Sequence, residues 1–218
     1  MTTRIKYLGI RLGEKDTNPD PPQPKGPNDS ILTSPLVLDL DGDGVETVGL
    51  DRGIQFDMDN NGFRETVGWV HADDGLLALD RNGNGVTDNG SELFGNNTTL
   101  ENGNKAANGF LALADFDDNR DGVINQNNTV WNDLRVWRDL DQNGESGAGE
   151  LFTLDELGIA SLKLSYTNSN SKDEFGNEFR QSGSYTDVNG DVRQMVDVCF
   201  NSTPTGSRPP ALIYYGGF

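Results

Sequence analysis

Short apolar runs alternate with glycine-rich polar segments through the middle of the chain. Strands are predicted where Val, Leu, Thr and Trp cluster or alternate with polar residues, at residues 36–40, 66–70 and 161–166. Residues 184–196 alternate in the same way around Asn189-Gly190, a dipeptide typical of a tight β-turn. This segment is therefore predicted to form a β-hairpin.

Two central segments have the spacing of helices rather than strands. Residues 106–114 (AANGFLALA) and 151–157 (LFTLDEL) are predicted as helices, and Gly158 ends the second one. Residues 130–137 connect two acidic loops through aromatic and aliphatic anchors. The predicted fold class is α+β, in which small strands and hairpins lie at both ends of the body around a central EF-hand-like helix-loop-helix pair.

Proline and glycine divide the chain into four parts. Residues 1–15 form a short N-terminal segment, and residues 16–34 are rich in proline and read as an extended linker. The body, residues 35–200, carries the regular patterns and is the predicted folded module. Residues 201–218 are predicted to be a flexible tail.

Charge narrows the possible partners. The 218 residues include 35 Asp and Glu but only 17 Lys and Arg, which gives a net charge of −18. Nucleic acid and anionic membranes need clustered positive charge, so neither is expected as a partner, whereas cations are. Cys199 is the only cysteine and His71 is the only histidine, so thiolate or histidine chemistry is not expected.

Hydropathy bears on the predicted location. The chain has no apolar run of the length needed to span a membrane, and residues 1–15 lack the apolar centre of a signal peptide. Export of this protein would therefore require a route other than a classical signal peptide.

One acidic motif recurs five times at irregular intervals. Acidic or amide residues occupy alternate positions and a glycine follows, in Asp39-x-Asp41-x-Asp43-Gly44, Asp57-x-Asp59-x-Asn61-Gly62, Asp80-x-Asn82-x-Asn84-Gly85, Asp117-x-Asn119-x-Asp121-Gly122 and Asp139-x-Asp141-x-Asn143-Gly144. Calcium binds six to eight oxygen ligands, which such a loop offers from positions 1, 3 and 5, from the carbonyl of position 7 and from a glutamate at position 12. The motif therefore predicts Ca²⁺ as the cofactor.

The fifth loop matches this ligand pattern in full. Its side chains are Asp139, Asp141 and Asn143, the carbonyl comes from Glu145, and Glu150 closes the loop. The fourth loop offers Asp117, Asn119, Asp121 and the carbonyl of Val123, but Asn128 stands at position 12. An amide supplies one oxygen and no charge, so we expect weaker binding there, supported by pairing with the fifth loop.

The other three loops depart further from the pattern. The third has Asp80, Asn82 and Asn84, with Asp88 and Glu92 as later acidic residues. The first has Asp39, Asp41 and Asp43, whose mutual repulsion favours a cation. Its remaining ligands are expected from Glu46 or Asp51 nearby, or from Asp73 and Asp74 at a distance. The second, with Asp57, Asp59, Asn61 and an early Glu65, fits a weak site and a plain β-turn almost equally well.

A family resemblance rests on longer segments. The chain combines LVLDLDGDGVET, GWVHADDGLLALDRNGNGVTDNGSELFG, LRVWRDLDQNG, LDELGI and GSY. Over residues 34–199 it resembles the self-processing module of RTX proteins of the meningococcal iron-regulated Frp type. The resemblance implies calcium binding, followed by cleavage of an Asp-Pro bond at the start of the module through an aspartyl anhydride. It also implies that the new aspartyl end can be joined to a lysine of another protein. The resemblance further implies a bacterial protein that is secreted or displayed at the cell surface without a classical signal peptide.

This chain differs from the family at the cleaved bond. The position before the family's proline, here Pro35, holds Ser34, and attack of a serine hydroxyl on its own carbonyl would close a strained four-membered lactone. The expected function is therefore calcium binding without cleavage at Ser34-Pro35. Two alternatives stay open: cleavage at Asp20-Pro21 in the linker, and a structural or targeting role in which the tail docks a larger exported toxin or adhesin.

Overall fold

A long antiparallel β-sheet organises the protein. The structure is a computed structural model that describes residues 33–203. The strands are β1 (Leu36–Leu38), β2 (Thr47–Val48), β3 (Gln55–Phe56), β4 (Glu65–Thr66), β5 (Trp69–Val70), β6 (Gly75–Leu79), β7 (Val123–Ile124), β8 (Leu134–Trp137), β9 (Leu151–Thr153), β10 (Ile159–Lys163), β11 (Thr167–Lys172), β12 (Glu178–Asp187) and β13 (Val192–Cys199). The helical elements are α1 (Gly109–Ala114) and two 3₁₀ turns, Leu50–Arg52 and Thr129–Asn132.

Nine of these strands form one curled sheet that resembles half a barrel. Their order is β7-β10-β12-β13-β1-β6-β8-β9, and β11 adds to the edge of β12. The first strand of the module is therefore central: Leu36 lies opposite Asp197 of β13, and Val37 lies opposite Leu76 of β6. Two small ribbons, β2–β5 and β3–β4, lie outside the large sheet.

Both faces of the sheet are covered, which explains why β1 is apolar at every position. One face carries Leu36, Leu38 and Leu77, and α1 packs there through Phe110 and Leu113. The opposite face is packed by aromatic and aliphatic residues that include Val37, Phe56, Trp69, Trp137 and Val198. These two cores fix the sheet in place and leave the acidic loops at strand ends.

The α+β prediction is wrong, because residues 33–203 are mostly β and contain no EF-hand helix pair. Of the two predicted helices, only the first occurs, as the six-residue α1, in which the Asn108 side chain caps the backbone N–H of Leu111 at 2.9 Å. Residues 151–153 of the second form β9 instead, paired with Arg135–Trp137 of β8. A short apolar run fits either period, and pairing with a distant strand decides between them.

Two other local predictions agree with the structure, whereas the predicted strand 66–70 is divided between β4 and β5 and the predicted strand 161–166 ends at Lys163 of β10. The segment 36–40 begins as β1, and the 184–196 hairpin lies within β12 and β13 with Asn189 and Gly190 at its turn. Residues 1–15, most of the linker and all but the first three residues of the tail lie outside the described residues. In residues 33–203 no helix has the length and apolarity needed to cross a membrane.

Candidate functional site

All five acidic loops lie between or after strands, where the tight turn that the motif predicts is present. The first follows β1, the second joins β3 to β4, the third follows β6, the fourth precedes β7, and the fifth joins β8 to β9. The closing glycine has positive φ in every loop: Gly44, Gly62, Gly85, Gly122 and Gly144. A side chain would strain this backbone conformation, which accounts for the recurrent glycine.

Four groups of acidic or histidine side chains converge in residues 33–203, each with ligand atoms within 4.8 Å of one another. Three of them are in the first, second and fifth loops. The fourth joins Glu46, His71 and Asp73. The His71 ring is held by a short contact with Asp73, which raises the pKa of the imidazole.

The second loop draws together Asp57, Asp59 and Glu65. The Asp57 carboxylate accepts backbone N–H groups from Asn61 at 3.0 Å and Gly62 at 2.8 Å, which shapes the turn. Glu65 begins β4 opposite Phe56, so its side chain is carried under the loop and is only 3% exposed. The early glutamate is thus delivered by the β3–β4 ribbon rather than by a helix.

Three carboxylate oxygens in this loop are buried without a hydrogen-bond partner in the described part of the chain. They are Oδ1 of Asp59 and both oxygens of Glu65. Burial, followed by repulsion from Asp59 and Asp57, raises the pKa of Glu65 to about 7. Buried carboxylates without partners are destabilising unless a cation or proton neutralises them. These oxygens suit a hard cation such as Ca²⁺, for which oxygen is the preferred ligand.

The fifth loop holds Asp139, Asp141 and Glu150 together. Asp139 is fully buried, and its Oδ2 accepts the indole N–H of Trp69 at 2.8 Å. Desolvation raises the pKa of this carboxyl despite the hydrogen bonds that it accepts. The Glu150 oxygens accept backbone N–H groups from Leu140 at 2.9 Å and from residue 147 at 2.7 Å. The predicted ligands therefore meet, but across a β-hairpin.

The second and fifth loops lie against each other. Arg64 of the second loop makes a 2.7 Å ion pair with Glu145 of the fifth. The backbone of Gly144 lies so close to the Gln55 carbonyl that an added Cβ would come within 2.6 Å of it. The fifth loop is therefore in contact with the second loop, whereas the sequence predicted that it pairs with the fourth loop.

The first loop clusters Asp39, Asp41 and Asp43, of which only Asp39 is buried. Asp74 fastens the two ends of this loop, because its oxygens accept the backbone N–H groups of Leu40 at 3.1 Å and Glu46 at 2.7 Å. Burial raises the pKa of Asp74 to about 7. Asp74 therefore does reach the first loop from a distance, but it accepts hydrogen bonds from the loop backbone. Asp73 pairs with His71 instead.

The third loop is organised by backbone contacts and forms no group of three converging acids within residues 33–203. Asp80 accepts the N–H groups of residues 83, 84 and 85. Asp88 accepts the Asn84 amide at 2.7 Å and a longer contact from Asn82 at 3.5 Å. Glu92 is buried and accepts the backbone N–H groups of residues 81 and 88, so it connects the start of the loop to its end.

The fourth loop likewise brings no three acids together in the described residues. Asp117 accepts N–H groups from residues 120 and 122, and Asn119 pairs with Asp121 at 2.9 Å. Val123, the predicted carbonyl ligand, is the first residue of β7. Asn128, at position 12 of the loop, is buried with its amide nitrogen 3.5 Å from Oδ1 of Asp117 at position 1. The last position of the loop therefore lies next to the first.

A second candidate site surrounds the Ser34-Pro35 peptide bond, at the start of the sheet. Ser34 is 2% exposed and its N–H donates to the Asn96 side chain at 3.0 Å. The backbone of Gly95 lies directly on this peptide bond, since an added Cβ would be 2.2 Å from the Ser34 carbonyl oxygen. The Pro35 carbonyl accepts the N–H of Val198 at 2.9 Å. The bond is therefore packed against Gly95 on one side and hydrogen-bonded to β13 next to it.

Asp197, on β13 beside this bond, was not anticipated from the sequence. It is fully buried, its Oδ2 accepts the N–H of Gly109, and its Oδ1 has no hydrogen-bond partner of ordinary geometry in the described residues. The signal available in the sequence is an acidic residue within the apolar strand MVDVCF. The Asp20-Pro21 alternative lies outside the described residues.

Comparison with known proteins identifies the family. A family model described as the SPM domain matches residues 36–201. The chain belongs to the SPM domain family. "Iron-regulated protein FrpA" of Neisseria meningitidis serogroup C is 48% identical over 187 residues, which is 85% of this chain and 17% of that protein. The predicted resemblance to Frp-type, RTX-related bacterial proteins is confirmed at this level, and the chain spans about a sixth of the length of this relative.

Proposed function

We propose that this SPM domain is a calcium-binding module of a bacterial RTX-related protein and that Ca²⁺ completes its fold. The observation that carries the proposal is the orphaned oxygen set of Asp59 and Glu65, buried beside Asp57. A cation at this place would neutralise carboxylates that otherwise repel one another without compensation. All protein donors at the loop are oxygens, which favours Ca²⁺ over softer metals.

The second and fifth loops are the proposed principal sites. Ligands would come from Asp57, Asp59 and Glu65 in one loop and from Asp139, Asp141 and Glu150 in the other. The first loop, with three converging aspartates, is a further proposed site. Extracellular modules of this kind bind calcium at about 10⁻⁴ to 10⁻³ M, which fits our proposal that the protein folds after export.

Calorimetric titration with CaCl₂ tests the proposal. We expect wild-type protein to bind Ca²⁺ in the range of about 10⁻⁴ to 10⁻³ M or tighter. Glu65→Gln keeps the shape of the side chain but removes its charge, so it should abolish one binding event or weaken it by about tenfold or more. Glu101→Gln, at an exposed turn, is the matched control and should titrate like wild type. Absence of calcium binding at millimolar concentration, or identical titrations of all three proteins, would refute the proposal.

We also propose that calcium leaves the Ser34-Pro35 bond of the wild-type chain intact. The side chain before the proline is a hydroxyl, and the family's five-membered anhydride needs a carboxyl there. Intact-mass spectrometry of the full chain, with and without CaCl₂, is the measurement.

A further inference from the structure

The indole of Trp69 contacts a proposed calcium ligand directly. Trp69 lies in β5 and is fully buried, and its Nε1–H donates to Oδ2 of Asp139 at 2.8 Å. The same oxygen accepts the backbone N–H of Gly144 at 2.8 Å, and Oδ1 accepts that of Asn143 at 3.0 Å. Together these hydrogen bonds fix the orientation of the Asp139 carboxylate. Of the three donors, only the indole comes from outside the loop.

A hydrogen bond of this kind affects how strongly a metal is held. A partner behind a ligand fixes its orientation, and loss of such a partner typically weakens metal binding about 10- to 100-fold. Asp139 is fully buried, where a carboxylate loses its hydration. Burial raises the pKa of Asp139, and the Trp69 N–H is one of the hydrogen bonds that oppose this rise. The indole therefore favours the ionised form that a metal ligand requires.

A second buried tryptophan provides an internal comparison. Trp137 of β8 is also fully buried and packs edge-on against Trp69, with 5.4 Å between the ring centroids. Its Nε1 has no hydrogen-bond partner in the part of the chain that the structure describes. The two side chains therefore share one core and one size, but of the two only Trp69 donates to a proposed ligand.

The same aromatic cluster reaches the second loop. Phe56 of β3 packs on Trp69 at 5.2 Å and on Trp137 at 5.5 Å between ring centroids. Phe56 is also the residue opposite Glu65 in the β3–β4 ribbon, so the strand that positions Glu65 packs on the ring that holds Asp139. Because protein interiors are close-packed, a displacement of one of these rings is transmitted to its neighbours.

Charge does not oppose the filling of both loops. Each loop offers three carboxylates: Asp57, Asp59 and Glu65 in the second, and Asp139, Asp141 and Glu150 in the fifth. Calcium carries two positive charges, so a filled loop with ionised carboxylates keeps an excess of negative charge and does not repel a second cation. Packing between the loops can therefore determine whether one ion favours the other.

We propose that Trp69 is a positioning residue that holds Asp139 for calcium and couples the fifth loop to the second, so that the two loops bind Ca²⁺ cooperatively. The inference rests on the proposed function, because it takes both loops as calcium sites. It goes beyond that function in naming the residue that links them. An ion in either loop fixes the aromatic cluster and raises the affinity of the other loop, and this effect is reciprocal.

Calorimetric titration of the full chain with CaCl₂ compares Trp69→Phe with Trp137→Phe. Phenylalanine keeps an aromatic ring and removes the indole N–H, with the same loss of volume at both positions. We expect Trp69→Phe to weaken one binding event about tenfold or more. Trp137→Phe removes an N–H that has no partner in residues 33–203, so it is the matched control and should titrate like wild type. Equal effects of the two substitutions would overturn the positioning role.

A spectroscopic signal reports on the fifth loop by itself. The chain has three tryptophans, so its ¹H–¹⁵N spectrum has three indole signals, and the signal of Trp69 is the one missing from Trp69→Phe. Calcium should shift this signal because Asp139, the acceptor of the indole N–H, becomes a ligand. In Glu65→Gln, the midpoint of the shift should move to a calcium concentration about fivefold higher or more, although Glu65 belongs to the other loop.

Two controls separate this coupling from general effects of charge and folding. Glu101→Gln removes an exposed carboxylate, and Asp41→Asn removes one from the first loop. Both should leave the midpoint of the Trp69 signal where it is in wild type. The inference fails if calcium does not shift this signal, or if Glu65→Gln moves the midpoint no further than Asp41→Asn does.

The coupling and the proposed function can fail separately. Calcium binding in calorimetry without these effects leaves the proposed function standing and excludes the coupling, whereas absence of calcium binding removes both. Circular dichroism shows whether each variant folds. Where Trp69→Phe does not fold, Trp131→Phe and Trp137→Phe assign the remaining indole signal to Trp69, and the comparison of Glu65→Gln with Asp41→Asn decides.

Discussion

At the scale of single residues, Glu65 links the stability of the calcium-free protein to pH. Its pKa is about 7 in the folded protein, against an ordinary value of 4.5. The folded state therefore keeps a proton that the unfolded chain loses near pH 4.5. The stability from this group is fully present below that pH and is lost as pH rises to about 7.

Replacement of this carboxyl should remove that loss. In EDTA, we expect the free energy of unfolding to fall between pH 5 and 7.5 by about 2 kcal/mol more in wild type than in Glu65→Gln. Urea denaturation at intervals of half a pH unit measures the difference. Burial also raises the pKa of Asp74 to about 7, so the Glu65→Gln variant should keep part of the pH dependence.

Two comparisons make this result specific. Glu101→Gln removes an exposed carboxyl and should keep the wild-type pH dependence. Wild-type stability that is constant over this pH range, or identical slopes for wild type and Glu65→Gln, would show that Glu65 ionises without cost. The burial of its two unpaired oxygens would then have no energetic consequence.

At the scale of elements, the fourth loop offers a test of how a loop closes without a glutamate. Asn128 is buried beside Asp117, with 3.5 Å between its amide nitrogen and Oδ1 of that acid. We expect Asn128→Asp to lower the thermal midpoint in EDTA, because it adds a second negative charge there, and to raise calcium affinity about tenfold.

The sign of the effect should therefore reverse with calcium. Asn127→Asp adds the same charge at the exposed neighbouring position and should change neither measurement appreciably. Differential scanning fluorimetry with EDTA and with CaCl₂ gives both comparisons. A variant that is equally destabilised in the two conditions would exclude a calcium site in this loop.

Loops could be predicted from this sequence far better than the elements that carry them. The Asx-Gly motif determines a turn locally, so Gly62 and Gly144 adopt the expected left-handed conformation. The LFTLDEL segment is different: its local spacing suits a helix, but β8 supplies a pairing edge and makes it β9. EF-hand geometry was therefore wrong even where Asp139 and Glu150 do converge.

The candidate sites divide in the same way. Glu65 could be suggested from spacing, but its burial depends on the β3–β4 ribbon, which sequence alone did not reveal. The pairing of the second loop with the fifth depends on the contact between Gly144 and Gln55. Asp197 lies opposite Leu36 only because the last strand of the module lies beside the first. Contacts between residues this far apart in the chain leave no local pattern.

At the scale of the whole molecule, the net charge of −18 opposes compaction. We expect removal of calcium with EDTA to expand the protein, measured as a larger radius of gyration by small-angle X-ray scattering and a changed far-UV circular dichroism spectrum. About 0.5 M NaCl should recover part of the compaction, because it screens repulsion between exposed carboxylates. An unchanged far-UV spectrum after chelation would contradict the proposed coupling of calcium binding to folding.

The neighbouring positions of β1 and β13 also determine how the sheet responds to mechanical force. The start of β1 and the end of β13 lie side by side, joined by the hydrogen bond from the N–H of Val198 to the Pro35 carbonyl. Tension that pulls these two strand ends apart would therefore separate β1 from β13 one hydrogen bond at a time, starting from that end.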